Sequence, residues 1–114
     1  MDQDNVRDQI KADLTFAHQM MMATSHMARL REQNIEAEVT ILHALTHRMV
    51  AAMRHRGMPT EAATRYDRVF IAPQRRRTEA ARVTAASARR EANKWARAHD
   101  GCIDRASQYR GHAS

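Results

Sequence analysis

The sequence predicts an all-α protein, a small bundle of about four helices, and three observations carry that prediction. Only three Gly and two Pro interrupt 114 residues, Ala, Arg, Met and Gln supply good helix formers, and no alternating Val/Ile/Thr-rich run competes for strand. The expected order is a long antiparallel N-terminal hairpin, a short third helix and a basic C-terminal helix. Together they make a single domain over residues 1–109, with a flexible end at 110–114. Hydrophobic residues make up 43% of the chain, but many are Ala or one of eight Met, and only Phe16, Tyr66, Phe70, Trp95 and Tyr109 are aromatic. The core is therefore expected to be thin and adaptable, a composition suited to oligomers in which a second copy supplies missing burial.

The first helix is placed at Asn5 to Gln33 by Val6, Ile10, Leu14, Ala17 and Met21 at helical intervals, with Asp2, Asp4 and Asp8 at its positive end. Asn34 followed by Ile35 reads as a left-handed cap; a helix that continues through Asn34 is the competing reading. The second helix, Glu36 to Arg56, carries Val39, Leu42, Leu45, Met49 and Met53 and stops at Gly57. A third opens at a Thr60 cap and runs to about Ile71, where Pro73 interrupts it. The fourth spans Gln74 to His99, Asp100-Gly101 punctuates it, and a last turn covers Cys102 to Tyr109.

Charge is the strongest functional signal. Nine basic residues match nine acidic ones through Ala72, whereas residues 73–114 hold ten basic and four acidic, so the whole net charge of +6 lies in the last third. Advancing 100° per residue gathers Arg75, Arg76, Arg82, Arg89, Arg90, Lys94 and Arg97 within an arc of about 140°. Nearly opposite lies a seam of Ala81, Ala85, Ala88, Ala92, Trp95 and His99, so one face is built to pack and the other to carry charge. Guanidinium groups along such a face can meet successive phosphates and release condensed counterions. The expected function is a small nucleic-acid-binding accessory protein for RNA or DNA. The alternative is a helical adaptor or inhibitor that docks on an acidic protein surface through the basic face or the Met-rich hairpin.

Gln74-Arg75-Arg76-Arg77 and the stretch from Ala88 to Trp95 resemble, in composition, the arginine-rich RNA-binding helices of phage antitermination peptides. The resemblance covers about a fifth of the chain and implies RNA as a partner. Those peptides stand at a chain terminus and fold on binding, whereas this helix follows three others and has its own apolar seam.

Other readings are narrower. His43 and His47 have the i, i+4 spacing of a metal pair, and a fold-back at Asn34 would bring His26 opposite, with Met22 as a soft ligand. No Glu follows His43 and no Cys pair completes such a site, so His26, His43 and His47 form only a weak candidate cluster and no cofactor is expected. Met20, Met21, Met22, Met27, Met49, Met53 and Met58 suit an internal core or a homodimer interface. The Arg56 to Pro59 turn suggests a helix-turn-helix, but Tyr66 to Phe70 continues without the second tight turn that a recognition helix needs. No Gly-rich phosphate loop, nucleophile elbow or catalytic Cys/His spacing is present, so no enzyme is expected. With one cysteine, Cys102, and no apolar run near 20 residues, the expected setting is the cytoplasm, away from membranes.

Overall fold

The computed structural model describes the backbone of residues 2–113 and the side chains of residues 3–110. Among the described residues, all but 56–59 are helical and none is in a strand, so the chain is all-α. The elements are α1 (Asp2–His55), α2 (Thr60–Tyr66), a π-helical turn (Asp67–Ile71) that continues α2, and α3 (Ala72–Ala113). Two long helices and one short one therefore replace the expected four-helix bundle.

The expected hairpin of the first two helices does not form, because α1 runs without a break through Asn34. A left-handed residue there would cost about 1 kcal/mol or more for a side chain bearing Cβ, and no non-Gly residue among those described has positive φ. Continuing the helix keeps Ile35, Glu38, Leu42 and Leu45 half-buried, in the same 3- and 4-residue steps that place Ala17, Met21, Thr24 and Ala28 inward. The stop at Gly57 does form: its φ is +66, and the amides of Arg56 and Met58 both donate to the Ala52 carbonyl, at 3.1 and 3.2 Å. Thr60 is not a cap. It is the first residue of α2, Pro59 occupies the cap position, and no side chain bonds to the free amides there.

Pro73 does not end a helix either. In a regular α turn its ring would crowd the carbonyl four residues back, and it has no N–H to donate. Immediately before it the chain widens into the π turn, in which the Ala72 amide donates to the Asp67 carbonyl five residues back. That widening accommodates the ring, and α3 proceeds. It proceeds again through Asp100-Gly101, where the expected punctuation is absent. A mid-helix Gly costs about 1 kcal/mol relative to Ala, which inward-facing His99 and Cys102 on either side help to offset. Of the end expected at 110–114, Arg110 to Ala113 belong to α3 and Ser114 lies outside the described residues.

The inward positions of α3 are Ile71 just before it, then Gln74, Thr78, Ala81, Ala85, Ala88, Ala92, Trp95, His99, Cys102, Ala106 and Tyr109, in alternating steps of three and four. That is a heptad seam built mainly from small side chains. By contact the chain groups into two compact units, one from the described residues of 1–29 with 87–114 and one from 30–86.

In the first unit Ile10, Ala17, Ala28 and Ala92 are buried. The Phe16 and Trp95 rings meet edge to face at 5.5 Å, His18 lies 5.3 Å from His99, Arg105 pairs with Asp13 at 3.1 Å, and the Tyr109 hydroxyl donates to the Gln3 carbonyl at 2.8 Å. From Gln3 with Tyr109 through Asp13 with Arg105 to Phe16 with Trp95, partners on α3 descend as those on α1 rise, so the two segments run antiparallel. In the second unit Ala63, Ile71, Ala81 and Ala85 are buried together with two polar residues, Gln74 and Thr78. Both polar groups are satisfied. The Gln74 amide donates to the Glu38 carboxylate and, at 3.1 Å, to the Glu38 carbonyl, and the Thr78 hydroxyl lies within reach of that carbonyl and of the Gln74 carbonyl.

Two stability measurements check this description. Gly101→Ala should raise stability by about 0.5–1 kcal/mol in denaturant unfolding, since an added Cβ meets open space there, while Gly57→Ala should lower it by about 1 kcal/mol because φ is positive. Gln74→Ala should cost about 1–2 kcal/mol by stranding the Glu38 groups that its amide satisfies; an unchanged unfolding midpoint would contradict that role.

Candidate nucleic-acid interface

The basic residues project from α3 because the seam opposite them is turned inward. Once Ala81, Ala85 and Ala92 are buried, a regular helix must direct positions half a turn away toward solvent. Arg75, Arg76, Arg82, Arg90, Lys94 and Arg97 are exposed accordingly, and Arg89, at the edge of the arc, is half-buried.

Three of them belong to the second unit. Arg75, Arg76 and Arg82 line a cleft of about 430 Å³ with Leu42, Ala72, Thr78 and Glu79. Arg75 lies 3.8 Å from Asp67, a loose contact between two side chains that are 63% and 43% exposed, so water screens it heavily. Arg76 and Arg82 pair with no carboxylate among the described residues, and Glu79 between them forms no ion pair with either. The cleft thus offers guanidinium donors with little internal compensation.

Four belong to the first unit. Arg89 is already engaged by a neighbouring group. Arg90 and Arg97 have no carboxylate partner among the described residues, and the Lys94 ammonium sits 5.7 Å from the centre of the Trp95 ring. Glu91, at the flank of the arc, accepts a hydrogen bond from the Trp95 indole at 3.1 Å. Trp95 itself is half-buried on the seam with its ring against Phe16, a packing role in which only part of its surface meets solvent.

The histidine cluster is not assembled. Its premise was a fold-back at Asn34, and on a continuous α1 residues 26 and 43 stand 17 positions apart, about 26 Å along the axis. His43 and His47 are exposed, and no group of three or more His, Cys, Asp or Glu among the described residues is arranged to hold a metal ion.

Sequence reasoning passed over the cross-helix pairs. His18 and His99 line a cleft of about 420 Å³ with Leu14, Thr15 and Ile103, and Gln74 with Glu38 forms the polar contact of the second unit. The signal for both was the seam's heptad spacing, which extends beyond the alanines to Ile71 at one end and Tyr109 at the other. No helix among the described residues is long and apolar enough to cross a membrane. No family model matches the chain, and no curated protein or solved structure matches it either.

Proposed function

We propose that the protein binds nucleic acid through the outer face of α3, with exposed Arg75, Arg76, Arg82, Arg90, Lys94 and Arg97 as the contact set and half-buried, already engaged Arg89 at its edge. The observation that supports this reading most is the set of exposed cations without a carboxylate partner among the described residues, Arg76 and Arg82 in one unit and Arg90 and Arg97 in the other. A face kept only for solubility intersperses opposite charges, and cations already neutralised would release few counterions from DNA or RNA. Here the acidic residues near the arc do not neutralise it, since Glu79 forms no ion pair among the described residues and Glu91 serves the Trp95 indole. Phosphate contact of this kind positions a backbone more than it reads bases, so affinity should depend weakly on sequence. The lone cysteine, Cys102, is free and half-buried, in keeping with a reducing cytoplasm as the setting. The second reading, docking on an acidic protein surface through the same cations, is separated from the first by the salt test below.

Binding to a generic duplex DNA and a structured RNA hairpin should show log affinity falling linearly with log salt, at about 0.9 per phosphate contact on duplex and less on single strands. The Arg90→Ala/Arg97→Ala double variant should flatten the duplex slope by about 2 while leaving helix content unchanged by circular dichroism. No binding to either nucleic acid at 50 mM salt would reject the proposal and favour a protein partner.

A further inference from the structure

His18 and His99 take no part in the basic face, yet they meet across the two antiparallel segments of the first unit. Their ring centres are 5.3 Å apart and their planes are inclined by 52°. Stacked rings lie parallel and edge-to-face rings nearly perpendicular, as Phe16 and Trp95 do at 83°, so the histidine pair is in neither of the arrangements that ring contact favours. Neither imidazole makes a hydrogen bond or ion pair among the described residues, although each neutral ring carries one donor and one acceptor. His18 is exposed and His99 half-buried, and no side-chain nitrogen among the described residues is buried without a partner. The ring nitrogens are therefore within reach of solvent and of a dissolved ion.

The separation fits a shared metal ion. An imidazole nitrogen binds zinc at about 2.0–2.1 Å, which puts the ring centre about 3.2 Å from the ion. Two such rings at the tetrahedral angle have centres about 5.2 Å apart. At the right angle of a square-planar site the distance would fall to about 4.5 Å, and for two ligands on opposite sides it would rise to about 6.4 Å. The observed 5.3 Å lies closest to the tetrahedral value. Imidazole suits zinc, copper and nickel, and of these zinc is the one that takes tetrahedral sites by preference.

The pair also has room for the rest of a coordination shell. The cleft that it lines with Leu14, Thr15 and Ile103 holds about 420 Å³, several times the roughly 30 Å³ of a water molecule. No third His, Cys, Asp or Glu among the described residues joins the two histidines, so the remaining positions fall to water. Thr15 is placed to hold such a water. The hydroxyls of Thr24, Thr40, Thr46, Thr64 and Thr78 each donate to the carbonyl four residues back, whereas that of Thr15, beside the pair, makes no such bond among the described residues. A hydroxyl bonded to a metal-bound water is a common outer-shell contact, and it steadies an ion that the protein grips through few ligands.

We propose that His18 and His99 bind a zinc ion between the two antiparallel segments of the first unit. The site lies outside the basic contact set and is independent of nucleic-acid binding. Because its two ligands come from distant parts of the sequence, zinc stabilises the folded chain over the unfolded one. Intact protein freed of metal by a chelator should take up one zinc ion per chain in calorimetry, with a Kd of about 1–100 µM, as expected of two ligands in place of four. Zinc at about 100 times Kd should raise the melting midpoint by about 5 °C or more. His18→Ala, at an exposed position, should keep the helical circular dichroism signal, weaken zinc binding by about 10-fold or more and abolish the rise in melting midpoint; His99→Gln should do the same. The His43→Ala/His47→Ala variant, which removes the exposed i, i+4 pair, should leave both readouts unchanged. No zinc bound at 100 µM, full affinity in His18→Ala, or loss of the melting shift in the His43→Ala/His47→Ala variant would overturn the proposal.

Discussion

Close packing across small side chains is the constraint on which the rest of this structure depends. Ala17, Ala28 and Ala92 in one unit, and Ala81 and Ala85 in the other, are nearly without solvent contact. Each contributes little apolar area, since an alanine side chain is one methyl group, so stability has to come from many such contacts and from large residues at the edges. Phe16 against Trp95 and the wholly buried Ile71 are those edge residues. The same constraint directs charge outward, because a seam that admits only small groups leaves the long basic side chains of α3 no direction but solvent.

Helix content was legible in the sequence, as were the stop at Gly57 and the division of α3 into a packing side and a charged side. Those readings rest on strong physics: a positive φ that favours Gly, and a phase that survives many turns. The false boundaries at Asn34, Pro73 and Asp100-Gly101 share a weaker origin. Each is a local preference worth about 1 kcal/mol, or about 3 for proline, and each sits on a helix whose inward positions continue on both sides. Tertiary packing summed over several turns outweighs a preference of that size, and at Pro73 one π turn removes the conflict.

The candidate site was legible to the same degree as the helix that carries it. One wheel holds for the whole of α3, so the arc of seven basic residues could be drawn from the sequence, and six of the seven are exposed. Arg89 differs because it lies at the arc's edge, where half a side chain turns inward. The histidine cluster failed because it drew on a turn that does not exist, an error of topology rather than of ligand chemistry.

The polar pair Gln74 and Glu38 carries a consequence for alignment. An alanine repeat is nearly indifferent to sliding, since moving α3 by seven residues would put Ala88 and Ala92 where Ala81 and Ala85 now stand. Methyl groups alone would make several alignments almost equal in energy. A buried amide cannot slide in the same way, because seven residues on from Gln74 is Ala81, which would leave the Glu38 carboxylate and carbonyl unmatched. Gln74, with Thr78 beside it on the same Glu38 carbonyl, is thus one of the side chains that make a single alignment of the two helical segments distinguishable from its neighbours.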